Sequence, residues 1–165
     1  MSLIKIFSNE LEHEAISTRK MLEIVPNDKY DWRPHPKSMT IRALATHVAE
    51  IPGWIEHGIN NPGLDFAAMP YNPPVINDTK ELLKYFDDCV VKGKSVLTEK
   101  NESKLDGRWV MKNGEVVLMD LSKAEVIRHS LSQLIHHRAQ LGVFLRLLDI
   151  PIPGVYGPSA DEINH

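Results

Sequence analysis

A single cysteine, Cys89, stands among 165 residues, so no intramolecular disulfide is possible and a secreted, disulfide-stapled scaffold is excluded. An excess of either charge is also lacking: 19 Lys and Arg face 22 Asp and Glu, a net charge of −3. That balance supplies no drive toward nucleic acid or an anionic membrane surface, and the basic residues are scattered along the chain. No apolar run approaches the roughly 18 residues of a membrane span. Residues 1–20 alternate apolar and charged side chains without the apolar core of a signal peptide, so a cytoplasmic protein is expected. Phosphate-cradling glycine loops are absent, and His13-Glu14 lacks the second His that a zinc-protease helix carries four residues on. Ser130 and Ser132 have no nucleophile-elbow context. Cys89 sits beside Asp87 and Asp88, whose negative charge raises a thiol pKa and argues against a nucleophilic role.

What remains is an ordinary globular mixture, 42% apolar and 25% charged, of a length that fits one domain over residues 1–165. Apolar residues recur at helical spacing over 2–25, through Leu3, Ile6, Phe7, Leu11, Ala15, Met21 and Leu22, until Pro26 stops the run. A second helix is predicted from a cap at Ser38 or Thr40 to about Ile59, with Pro52 inside it predicting a kink that Gly53 absorbs. Residues 60–76 hold Pro62, Pro70, Pro73 and Pro74 and read as a long irregular crossover. A third helix is predicted from Asn77, Asp78 or Thr79 to about Lys100. Two β-prone runs, Trp109 to Lys112 and Glu115 to Leu118, flank Asn113-Gly114, a strong hairpin signal. Ser122 followed by Glu125 forms a capping-box pattern for a fourth helix ending near Asp149, and a non-helical Pro- and Gly-rich tail begins at Ile150. The expected fold is all-α, a four-helix bundle with one long crossover and a small β-hairpin insertion.

Eight histidines are the unusual feature, because imidazole is both a common metal ligand and a general base. A helix turns about 100° per residue, which sorts inward from outward positions. In the second helix, His47 falls inside the apolar arc drawn by Leu44, Val48, Ile51, Trp54 and Ile55, Glu50 lies at the arc's margin, and His57 falls well outside it. In the fourth helix, His137 points inward with Leu134 and Leu141, Gln133 lies at the edge one turn earlier, and His129 and His136 point elsewhere. Two inward imidazoles on separate helices, with a Gln at i−4 from one of them, match the way bundle metal sites are built from facing helices. A core His whose ring nitrogens are satisfied by protein partners gives the same pattern, and imidazole alone suits zinc, nickel, copper or iron.

Three stretches carry a family resemblance. They are Trp32 to Thr40 (Trp-Arg-Pro-His-Pro-Lys-Ser-Met-Thr), Leu44 to Trp54, and His136-His137-Arg138-Ala139-Gln140-Leu141 running on to Tyr156-Gly157-Pro158-Ser159-Ala160-Asp161-Glu162. In that order, and over nearly the whole chain, the sequence resembles the DinB-like family of metalloenzymes. The resemblance implies a four-helix bundle, often a homodimer, holding a divalent metal on three His, one from the second helix and two, four residues apart, from the fourth. His47 and His137 match the first and last of those ligands, and Gln133 stands where the middle one would be. An amide oxygen is a weak neutral ligand beside imidazole, so the substitution lowers the expected affinity for zinc or nickel, the ions expected here. The wider superfamily includes thiol-dependent S-transferases, a thiol-using isomerase and hydrolases.

Two functions follow from these residues. The first is a divalent-metal-dependent enzyme acting on a small molecule, a hydrolase or a low-molecular-weight-thiol S-transferase, with the ion on His47, Gln133 and His137. Glu50 is its candidate catalytic residue, for proton transfer or for orienting His47, against the reading of a solvated carboxylate. Arg138 is either a carboxylate-binding group or a structural ion pair, and Trp32 and Trp54 are either pocket walls or core. The second function is a non-catalytic, dimeric helical bundle that binds a partner or serves in stress response, with a degenerate metal site. Neither involves nucleic acid or a membrane.

Overall fold

The computed structural model of the protein describes residues 2–163. Four long helices dominate: α1 (Leu3–Glu23), α2 (Ile41–Asn60), α3 (Thr79–Val96) and α4 (Lys123–Leu147). Strands β1 (Gly63–Asp65), β2 (Arg108–Asn113) and β3 (Val116–Ser122) form a small sheet in the order β1-β2-β3. Short 3₁₀ turns occupy Asn27–Lys29 and Glu99–Lys104, the latter where the third helix was expected to continue to Lys100. No helix among the described residues is long and apolar enough to cross a membrane.

Each long helix begins on a side-chain cap that satisfies a free backbone donor. Ser2, Thr40 and Asp78 accept from the amides of Lys5, Ala43 and Glu81. Ser122 and Glu125 close the expected capping box in both directions. α2 continues through Pro52 to Asn60, and α1 and α4 end within two residues of the expected limits. Helix α2 is central and packs against both α3 and α4. One half of the core gathers Leu22, Leu44, Val48, Phe86, Leu134 and Leu141; the other gathers Ile4, Leu11, Ile55, Ile59, Ile127 and Leu131.

The crossover is not wholly irregular, which corrects the sequence reading. Its first residues form β1, paired in parallel with β2 in the register Gly63 to Val110 and Asp65 to Lys112. A Cβ at Gly63 would lie 2.1 Å from the Val110 carbonyl oxygen, so only glycine lets the strands approach this closely. The hairpin turn also differs from expectation. Asn113 pairs with Val116, so the loop is Gly114-Glu115 rather than Asn113-Gly114. Gly114 has φ of 60° at the first loop position, as a type II′ turn requires, and its N–H donates to Asp65 Oδ1 at 3.0 Å. The sheet therefore joins the crossover to the hairpin and lies against α4, meeting α2 at His57.

The tail after α4 is non-helical as expected, and it folds back on the helices. Asp161 accepts from Arg146 and from the Ile152 amide, while Glu162 accepts from the amides of Gly154 and Ser159. Ile152 and Val155 pack on the core. The Tyr156 hydroxyl donates to Glu14 Oε1 at 2.8 Å and accepts from Arg138 Nη2 at 3.1 Å. Arg138 is 2% exposed, lies 2.6 Å from Glu14 Oε2, and donates to Thr18 Oγ1 and the Glu14 carbonyl. Its guanidinium is thus a buried structural ion pair, facing α1 and the tail.

Candidate active site

Helices α2 and α4 run in opposite directions, since the Lys123 ammonium reaches the Ile59 carbonyl at one end and His47 meets His137 farther along. The two imidazoles that the helical period turned inward do converge. Their ring centroids are 4.6 Å apart and the rings nearly perpendicular, at 80°. Trp54 packs on the other side of His47, with centroids 5.2 Å apart.

Glu50, three residues on in α2, is 7% exposed rather than marginal. Its Oε1 lies 2.8 Å from His47 Nδ1 and also accepts from the Tyr71 hydroxyl. A carboxylate accepting at Nδ1 fixes the Nδ1–H tautomer of His47 and leaves the Nε2 lone pair for another partner. Tyr71 belongs to the crossover, and burial beside the Glu50 carboxylate holds its phenol well above the usual range. Tyr71 was not anticipated from the sequence; its only signal there is its place in the proline-rich segment, between Pro70 and Pro73.

His137 is held on both sides. Gln140 Oε1 lies 2.9 Å from its Nδ1 and Gln133 Oε1 lies 2.9 Å from its Nε2. Burial lowers its pKa below the ordinary 6.5, and the neighbouring rings of His47 and His136 push the same way against the Gln140 hydrogen bond. These surroundings favour the neutral imidazole. A neutral imidazole has one N–H, so one amide offers its carbonyl to the ring and the other its NH₂. Gln133 thus stands where the third ligand was expected, bonded to His137. Among the described residues no three or more His, Cys, Asp or Glu side chains group as a metal cage.

A chamber of about 690 Å³ opens beside this pair. Helices α2 and α4 supply His47, Glu50 and Trp54 on one side and His129 and Ser130 on the other. The crossover and the sheet close it, through Phe66, Trp109, Met111 and Met119 among others. Among the described residues no Lys or Arg lines it. The sheet also changes the reading of His57. It lies outside the apolar arc of α2, yet it is partly buried against Trp109, 6.4 Å between centroids, and lines the chamber.

The remaining candidates fall elsewhere. Trp54 walls the chamber, whereas Trp32 stacks edge-on against Phe144 at 5.9 Å and belongs to the core periphery. His13, His35 and His136 are exposed. Cys89 is buried and its thiol is pushed up, but mainly by burial rather than by Asp88; Asp87 pairs with Arg19.

Comparison with known proteins agrees with this architecture. The family model of the DinB family matches residues 4–164. The "Uncharacterized protein YrdA" of Bacillus subtilis (strain 168) is 20% identical over 156 residues, covering 94% of this chain and 89% of that protein. Among solved structures, a DinB-like protein from Bacillus cereus ATCC 10987 superposes with a TM-score of 0.70 at 18% identity, over 91% of this chain and 95% of that one. A DinB-like protein from Bacillus subtilis gives 0.68 at 18% identity, over 90% and 96% of the two chains. At these identities the solved structures speak to the fold.

Proposed function

The chain belongs to the DinB family, and from that premise we propose that it is a divalent-metal-dependent enzyme acting on a small molecule held in the α2–α4 chamber. The observation that carries the reading is the pair of imidazoles, one from each helix, 4.6 Å between centroids, with a carboxylate behind one of them. The donor set fits an imidazole-preferring ion such as zinc or nickel, bound weakly: two ring nitrogens, with the Gln133 amide oxygen as a third and neutral donor. When bound, such an ion supplies Lewis acidity that brings a nucleophile's pKa toward neutrality.

The chain's own residues have separable tasks in this reading. His47 and His137 hold the ion. Glu50 takes the Nδ1 proton of His47 as a hydrogen bond and so keeps Nε2 directed to the site; it is a positioning residue first, and its carboxylate is the nearest candidate proton acceptor. Tyr71 locks Glu50 from the crossover. Trp54 and the sheet residues restrict water. Hydrolysis is favoured over thiol transfer, because the carboxylates of a low-molecular-weight thiol find no Lys or Arg in the chamber wall.

The non-catalytic reading draws on one observation, that Gln133 and Gln140 satisfy both nitrogens of His137 without an ion. Calorimetric titration with zinc and with nickel separates the two. The enzyme reading expects saturable one-to-one binding that both His47→Ala and His137→Ala abolish. No heat of binding in the wild type, or binding indifferent to both substitutions, overturns it.

A further inference from the structure

The wall of the chamber names a class of substrate. We infer that it takes a largely apolar organic molecule that is not an anion, with an aromatic or similarly bulky body, its reactive group turned toward the His47–Glu50 end. This deepens the proposed function and rests on it for the chemistry, though not for the binding.

The argument begins with size. A volume of about 690 Å³ lies within the range that holds a drug-sized ligand, roughly 300–1,000 Å³. His47 and His57 lie ten residues apart on α2, about 15 Å along the axis at 1.5 Å per residue, so the chamber is long as well as wide. Its far wall is Phe66, Trp109, Met111 and Met119, two aromatic rings and two polarizable thioethers.

Charge then narrows the class. A buried anion needs a partner; among the described residues no Lys or Arg lines the chamber, and of its three imidazoles His47 is bonded to Glu50 while His129 lies on the α4 side. His57 is already engaged, donating from Nε2 to the Gly63 carbonyl and accepting at Nδ1 from the Asn61 amide. Glu50, the one carboxylate in the wall among the described residues, repels anions. The bonds from His47 and Tyr71 both fall on Oε1, which leaves Oε2 and the negative charge to favour a neutral or cationic ligand over an anion. With no ion at His47, an anion is the class of ligand whose charge this wall leaves uncompensated.

A matched pair of dyes tests this on metal-free protein, since the ion proposed at His47 and His137 would itself attract an anion. N-phenyl-1-naphthylamine is uncharged; 8-anilino-1-naphthalenesulfonate has the same ring system with one sulfonate added. Trp54 and Trp109 in the wall make energy transfer to the bound dye the readout. The neutral dye is expected to bind one per chain and at least about tenfold more tightly than the anionic one, equivalent to roughly 1.4 kcal/mol. Met119→Arg, which adds a cation to a half-buried wall position, is expected to weaken the neutral dye and strengthen the anionic one; Met119→Leu leaves the preference as it was. Anionic dye bound as tightly as the neutral one by the wild type overturns the inference without recourse to any variant. So does neutral-dye binding indifferent to a folded Met119→Arg. His137→Ala, which removes a proposed metal ligand outside the chamber wall, is expected to keep neutral-dye binding. Loss of metal with retained dye therefore strikes the enzyme reading alone, and loss of dye preference with retained metal strikes the substrate class alone.

Discussion

Removal of the Arg138 guanidinium is expected to be among the most damaging single changes in this protein. Arg138 is 2% exposed and its partner Glu14 is 4% exposed. The guanidinium joins four groups from α1 and the tail: the Glu14 carboxylate, the Glu14 carbonyl, the Thr18 hydroxyl and the Tyr156 hydroxyl. In Arg138→Met the Glu14 carboxylate keeps only the Tyr156 O–H, so an under-compensated charge stays in a low-dielectric site. Breaking a buried pair from one side costs about 3–5 kcal/mol. For a domain of this size each kcal/mol moves Tm by about 2–4 °C, so a fall of roughly 6–20 °C is expected. Urea unfolding of Arg138→Met, Glu14→Leu and the double variant measures it. The double variant should recover most of the loss, because two apolar side chains leave no buried charge. A single-variant loss below about 1 kcal/mol, the scale of a solvated surface pair, refutes the reasoning.

Three further outcomes are expected. Glu50→Gln keeps the shape of the site but removes the charge behind His47, and zinc affinity should fall by roughly 10–100-fold with the melting temperature little changed, both read by titration and thermal unfolding. Gln133→His restores an imidazole at the third position and should tighten zinc and nickel in the same titration; weaker binding would show that position 133 does not face the ion. Asp161 is lowered to about 2 from the ordinary 3.8, chiefly by its bond to Arg146 and then by the Ile152 amide. Because its folded pKa lies below the unfolded one, the tail contact is fully present above about pH 4 and is lost as pH falls toward 2. The Ile152 amide resonance followed by NMR checks that window.

Residues whose surroundings come from their own helix were legible from the sequence. His47 and His137 share an arc with neighbours three and four positions away, and a 100° step sufficed to turn them inward. Ser122 and Glu125 likewise make their cap within one turn. Residues whose surroundings come from distant segments were only partly legible. Glu50 sits at the margin of its own arc and is buried because Tyr71 comes over it from the crossover, 21 residues later. His57 is covered by the sheet, which one helical period cannot register. Strand β1 was missed because its hydrogen-bond partners lie on β2, across the whole of α3. The hairpin was found but its turn slipped by one residue, since the irregularity in pairing at Met111/Lys112 and the Asp65–Gly114 bond set the register. Arg138 owes its burial to α1 and the tail, so its two readings were separable only in three dimensions.

Elemental analysis by mass spectrometry tests the central claim most directly, on untagged protein never passed over a chelating column, with His137→Ala prepared alongside. The account predicts about one zinc, nickel or similar ion per wild-type chain and none in the variant. Metal-free wild type that also takes up neither zinc nor nickel at micromolar concentration would contradict it, and would make the His47–His137 pair a feature of the core.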